Sequence, residues 1–412
     1  MQKQSAFRFI PKPSMLLAIL AGCFVVFTLA YAIEVGNTLR YTDEGEYLRL
    51  ARNLVSTGRY TLTGSAPTAY RPPAYPLFLA AGIKLGLSLT ALRVANAGTL
   101  LVCMLLLYRL LFKSSVQRAG IAVLLVMSYP VLLYTAGTFY PQIPAAAFFL
   151  SAVLLLFSNA YPGTLRFLFA GALLGIAILM VPTFGFTLLF TSAFFAWRPP
   201  RLAGMRKVAV MLFGATVILS PWIARNAIVF GRFIPLSTNN GISLLTGNND
   251  QAKSNSGVTE RVVQYLGETK GLGEIEADEY YRRAALGFMR AHPRKALTLY
   301  LAKALNYYNF RNNLYVQSES SPARELIMLV TYGFLLLAAA TRLCLWRRFA
   351  LSELERYAFC LYVMNGLFSA VYFTRVRFRL PMDLLLIVPA SAAIAIVANL
   401  LAERADKTLA AH

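Results

Sequence analysis

Imidazole is nearly missing from this chain, whose two histidines are His292 and His412. So few exclude a His-rich metal centre and leave a Ser-His-Asp triad without support. Charge is scarce as well, at 14% of residues, where soluble domains carry about a quarter. No Walker loop and no GxGxxG fingerprint occurs, so a nucleotide or nucleotide-sugar site has no motif to rest on. Cysteine is limited to Cys23, Cys103, Cys344 and Cys360, all inside apolar runs and without zinc spacing. They read as packing residues. Internal repeats, low-complexity tracts and a separable soluble domain are lacking too.

What the chain has is hydrophobicity: 58% of residues are apolar and the mean hydropathy is +0.56, which is the membrane class. Apolar runs fall near 14–33, 91–112, 119–137, 141–158, 166–181, 183–197, 206–224, 324–346, 356–374 and 380–401, about ten spans in all. Val181-Pro182 interrupts 166–197 and predicts two short helices in a hairpin. At the N-terminus, Lys3, Arg8 and Lys12 precede the first run, which contains a peptidase-like Ala30-Tyr31-Ala32 and a lipoprotein-like Leu20-Ala21-Gly22-Cys23. The run is long enough to span and continues past Cys23, so it reads as a retained helix.

The net charge of +22 suits a membrane protein with basic inner loops better than a nucleic-acid binder, since no basic-aromatic run is present. With the N-terminus inside, Lys113, Arg118, Arg198, Arg201, Arg206, Lys207, Arg342, Arg347, Arg348 and Arg356 all fall in the cytoplasm, a positive-inside pattern. Two outer segments are then large. The first, 34–90, holds an amphipathic stretch at 44–55 and an apolar one at 74–87 that is too short to span and reads as interfacial or re-entrant. The second, 226–323, starts turn-rich and then shows helical periodicity over 276–308, with a break at His292-Pro293. The expected fold is an all-α polytopic membrane protein, one domain over 1–412, with interfacial helices on its outer face.

Charge in the wrong place marks the candidate site. Arg375, Arg377 and Arg379 lie in a short outer loop, where an extended backbone would turn all three to one side, an arrangement suited to a phosphate. Arg71, Arg225 and Asn226 fall at the same level. The mid-membrane portions carry almost no ionisable residue, which counts against an ion-coupled transporter. Asp43, Glu44 and Glu46 directly follow the first span. Helix capping alone would account for acids there. Beside unpaired arginines, however, a carboxylate can act as general base on an acceptor hydroxyl while the arginines hold a phosphate leaving group. Positions i, i+1 and i+3 do not share one helical face, so not all three acids can point at a substrate.

Four segments together carry a family likeness. They are Tyr41-Thr42-Asp43-Glu44-Gly45-Glu46-Tyr47 with Ala51-Arg52-Asn53-Leu54, then Tyr70-Arg71-Pro72-Pro73-Ala74-Tyr75-Pro76, then Pro221-Trp222-Ile223-Ala224-Arg225-Asn226 leading to Gly247-Asn248-Asn249, and last Arg377-Phe378-Arg379-Leu380-Pro381. In this order the chain resembles the GT-C superfamily of polyprenyl-phosphate-sugar glycosyltransferases, in particular the bacterial branch related to protein mannosyltransferases and aminoarabinose-lipid transferases. The resemblance implies inverting transfer of a sugar from a polyprenyl-phosphate donor to a lipid or glycan acceptor, at the outer face of a bacterial inner membrane. It implies catalysis by Asp43 with Glu44, and substrate binding by Glu46, Tyr70, Arg71, Arg225, Asn226, Arg375, Arg377 and Arg379.

The departures from the pattern are also informative. Val181-Pro182 stands where many relatives have Arg-Pro, and Tyr140-Pro141-Gln142 replaces a segment that commonly carries Glu. Tyr70-Arg71-Pro72-Pro73 stands where aminoarabinose-lipid transferases tend to have Glu-Lys-Pro-Pro, so no obligatory metal and no other cofactor is expected. His292 is assigned no catalytic role. Two rival readings remain open at this point. One is a flippase or transporter of lipid-linked glycans; the other is an accessory protein whose acids only cap helices.

Overall fold

The computed structural model describes residues 13–158, 163–255, 262–311 and 321–410, and no strand occurs among them. Helix α1 (Pro13–Val35) leads into two helices of the 34–90 stretch, α2 (Thr42–Thr57) and α3 (Ala74–Lys84). Next come α4 (Leu89–Phe112), the pair α5 (Val116–Met127) and α6 (Pro130–Ala136), α7 (Gln142–Phe157), α8 (Gly163–Met180), α9 (Phe184–Ala196) and α10 (Arg201–Phe230). After α10 come α11 (Asn240–Gly247), α12 (Val263–Glu268), α13 (Glu274–Ala291) and α14 (Pro293–Asn306). Three helices complete the fold: α15 (Pro322–Cys344), α16 (Glu353–Ser369) and α17 (Val376–Ala410).

Each apolar run became a helix or a bent pair, and local chemistry explains the ends. Ser88, Ser115, Ser321 and Ser352 accept from first-turn N–H groups at the starts of α4, α5, α15 and α16. Gly58 and Gly231, at φ 67° and 65°, close α2 and α10 in the left-handed region that a side chain would resist. Proline at the first position of α6 and the 64° bend before it break one apolar run into two helices. Val181-Pro182 separates α8 from α9, and His292 separates α13 from α14, where the sequence pattern put the breaks.

The expected count of ten spans is not established. Among the described residues, six helices are long and apolar enough to cross a bilayer, or seven if the bent pair is one span. The shortfall is one of length. The apolar helices α7 and α9 have 16 and 13 residues, and at about 1.5 Å per residue neither reaches the ~30 Å hydrocarbon thickness unaided.

Packing centres on α17, which lies against α5, α7, α15 and α16, while α10 runs along α8. Gly171 and Gly214 sit where the α8 and α10 backbones meet, and neither position has room for a methyl group. At one end of the bundle, Glu355 is gripped by Arg342 at 2.8 Å and Arg118 at 3.3 Å, tying α16 to α15 and α5. At the other end of α16, the loop 370–375 leads into α17 beneath a cap formed by α2, α3 and α11–α14. The acids and arginines singled out by sequence gather there.

Candidate active site

Helix α2 decides which acid faces where. Asp43 and Glu46 are one turn apart and share a face, whereas Glu44 is rotated about 100° away. Glu44 is fully buried. Its carboxylate accepts from the backbone N–H of Arg40 at 2.7 Å, Tyr41 at 3.1 Å and Phe139 at 2.8 Å. Arg93 approaches it at 3.4 Å. The expected partner in catalysis is therefore an anchor that pins the start of α2 to α4 and to the 137–140 turn.

Asp43 and Glu46 meet Arg71 instead. The Arg71 guanidinium donates to Asp43 Oδ1 and Glu46 Oε2, both at 2.7 Å, and lies over the Tyr47 and Tyr70 rings. The backbone that presents it is fixed: the Tyr60 hydroxyl donates toward the Arg71 and Pro72 carbonyls at 2.9 and 3.1 Å. Two consecutive prolines then stiffen the approach to α3. Arg225 holds this loop from behind, donating to the Thr68 carbonyl at 2.9 Å, and Asn226 donates to the Ile234 carbonyl at 3.0 Å. Arg225 faces a second groove between α3 and α10, while Asn226 is buried. These two expected binding residues brace the site from outside its cavity.

The three late arginines part company. Arg377 reaches Asp43 Oδ2 at 3.0 Å and covers the Tyr140 ring. Arg379, about 200° further round α17, is fully buried and pairs with Asp383 at 3.0 Å, also donating to the Tyr307 carbonyl at 2.8 Å. Asp383 accepts in addition from Tyr129 and Tyr362, each at 2.9 Å. The common face expected of an extended strand is lost because α17 already begins at Val376. Arg375 precedes the helix and is partly buried; its side chain makes no hydrogen bond or ion pair among the described residues. Burial, and then the neighbouring Arg377 cation, bring its pKa down to about 10.

Asp43, Tyr70, Arg71, Tyr140, Gln142 and Arg377 line one cavity of about 470 Å³, closed further by the 181–183 turn, residues 235–246 and residues 368–373. Burial pushes Asp43 up, but Arg377 and Arg71 outweigh it and hold the carboxyl below its usual range. Asp43 is thus ionised at neutral pH. Burial lifts the Tyr70 phenol to about 12 and Tyr140 higher still, so both keep their protons. Both Asp43 oxygens and Oε2 of Glu46 are held by arginines.

Two residues not placed among the expected site residues belong to the same neighbourhood. Gln142 opens α7 inside the cavity, at the segment whose sequence departs from Glu. Lys303 on α14 is fully buried, donating to the Gly247 carbonyl at 3.0 Å, Asn248 Oδ1 at 3.1 Å and the Tyr372 carbonyl at 2.9 Å. Burial brings its pKa down to about 8. It clamps α14 and the end of α11 to the loop that carries Arg375. On an amphipathic helix, such a lysine reads as part of the solvated face.

This architecture occurs in solved structures. The archaeal oligosaccharyltransferase AglB from Archaeoglobus fulgidus, in complex with an inhibitory peptide and a dolichol-phosphate, matches with a TM-score of 0.50 and 13% identity over 94% of this chain and 52% of that one. This chain thus spans about half the length of AglB. ArnT from Cupriavidus metallidurans in the apo state gives a TM-score of 0.46 at 14% identity, over 92% of this chain and 78% of that one. ArnT bound to undecaprenyl phosphate gives 0.48 at 14%, over 92% and 77%. No protein-family profile and no curated protein matches the chain. At the level of fold, this is an all-α polytopic membrane protein with the architecture seen in AglB.

Proposed function

We propose that this protein transfers a sugar from a polyprenyl-phosphate carrier to a hydroxyl of a lipid or glycan acceptor, in the cavity between α2 and α17. One observation carries the reading. Asp43, from the first outer loop, and Arg377, from the last helix, meet at 3.0 Å in a single cavity that Arg71 also lines. A carboxylate base and a pair of arginines for a phosphate are the two parts such a transfer needs. The AglB structure, with its dolichol-phosphate, is consistent with a lipid phosphate as carrier. The basic loops at the opposite ends of the helices favour an outward-facing cavity.

In this mechanism the donor phosphate competes with Asp43 for Arg71 and Arg377. Each arginine that turns to phosphate removes part of what depresses the carboxyl pKa, so donor binding makes Asp43 a stronger base. Asp43 then takes the proton of the acceptor hydroxyl. The acceptor oxygen forms its bond to the anomeric carbon as the carbon–oxygen bond to phosphate breaks, with inversion. The departing lipid phosphate keeps the electron pair, and the arginines meet the charge that develops on it. Arg375, without a hydrogen-bond or ion-pair partner among the described residues, adds a cation at the same level.

The test is to incubate purified protein with radiolabelled polyprenyl-phosphate sugars and a membrane lipid extract. Label should pass from the carrier to an extractable acceptor. No transfer across a broad donor panel would contradict the proposal.

A further inference from the structure

The chemistry of the cavity beyond its ion pairs narrows the sugar. Gln142 is 6% exposed, yet its Oε1 has no hydrogen-bond partner among the described residues. A buried amide left unpaired is costly, so natural structures supply such a group with a partner. This one faces the cavity that holds Asp43 and Arg377. Turned over, the amide would present its N–H groups instead. A sugar hydroxyl, being both donor and acceptor, satisfies it either way.

The charges there are already matched. Asp43 and Glu46 balance Arg71 and Arg377, and the remaining nearby charge, Arg375, is a cation suited to the carrier phosphate. With the single negative charge of the carrier phosphate counted, these charges sum to zero, so an ammonium group on the sugar would be a cation in excess. The rest of the polar wall is neutral, formed by Thr183, Ser237, Asn239, Asn240 and Ser243 beside the rings of Tyr140 and Tyr372. Hydroxyls and amides beside aromatic faces suit an uncharged, hydroxyl-rich ring.

We infer that the carried sugar is neutral and hydroxylated rather than an amino sugar, and that Gln142 is a specificity-determining residue hydrogen-bonded to one of its hydroxyls. This rests on the sugar-transfer reading above and deepens it.

The experiment is competition binding to the full-length protein in lipid nanodiscs, against labelled undecaprenyl phosphate. The competitors are the undecaprenyl-phosphate conjugates of glucose, mannose and galactose, that of 4-amino-4-deoxyarabinose, and undecaprenyl phosphate alone. The best-bound neutral conjugate should exceed the amino-sugar conjugate by about tenfold. Gln142→Leu should cut the neutral conjugate's advantage over the bare carrier by about three- to tenfold, the scale of one hydrogen bond. Gln142→Glu should move the preference toward the amino sugar, because it adds the missing counter-ion. Binding of the bare carrier reports folding; if the Leu variant fails it, the Glu variant carries the test.

Wild-type protein that binds the amino sugar as tightly as any neutral one would overturn the inference. So would neutral-over-amino selectivity that is unchanged in the folded variants. Transfer without this selectivity sinks the inference alone, while selectivity without transfer sinks the transferase reading alone. Binding of none of the lipids contradicts both.

Discussion

Carboxylate–arginine assemblies of two kinds, built from the same residue types, lie close together along the chain yet do different work. Asp43, Glu46, Arg71 and Arg377 meet at the cavity wall, with side chains 15–24% exposed. Glu44 with Arg93, and Arg379 with Asp383, are sealed among backbone carbonyls, N–H groups and tyrosines at 0–1% exposure. One helical step separates Asp43 from Glu44, and two separate Arg377 from Arg379. Rotation about a helix axis is enough to turn a reactive group into a strut. The open assembly can exchange a protein partner for a ligand; the sealed ones cannot without breaking a buried network.

Substitution should separate the two classes. Arg379→Met leaves Asp383 buried without its cation, so it should destabilise the protein by about 3–5 kcal/mol. Thermal unfolding in detergent would register this, whereas Arg377→Met should unfold near the wild-type temperature. Glu44→Gln keeps the shape but weakens the acceptors for three backbone N–H groups. A loss of about 1–3 kcal/mol is expected, with sugar transfer retained by the fraction that folds. A folded Glu44→Gln protein without activity would return Glu44 to the chemistry.

Arg375→Met sharpens the contrast from the other side. Because its side chain makes no hydrogen bond or ion pair among the described residues, stability should not change. The KM for the lipid-phosphate donor should rise about tenfold, the loss of one charge-assisted contact. The smallest effect concerns pH. Arg377 and Arg71 depress the Asp43 pKa, so its ionised form, and the stability the ion pairs add, persist until pH falls through that lowered value. The acid limb of the rate profile should therefore lie below the usual carboxylate range. Arg377→Met should move it up, toward the usual carboxylate range.

Much of the fold was legible because apolar length and proline position act locally. The runs became helices, and the breaks at Val181-Pro182 and His292-Pro293 fell where proline forbids continuation. The number of spans was not legible, since helices of 13 and 16 residues satisfy an apolar pattern without satisfying bilayer thickness. For the site, charges stranded at one level pointed to the region but not to its facing. Whether residues 375–379 form a strand or a helix decides whether Arg379 joins Arg377, and the chain gave no local sign that α17 starts at Val376. Gln142 and Lys303 were hidden for another reason: their importance lies in what they lack or clamp across the fold.

The most direct measurement is sugar transfer from a radiolabelled polyprenyl-phosphate donor by purified Asp43→Asn protein, with its unfolding temperature and binding of the bare lipid phosphate followed alongside. A loss of about 10²–10⁴-fold in transfer, with folding and lipid-phosphate binding kept, is the predicted result. Near-normal transfer by the folded variant would contradict the account.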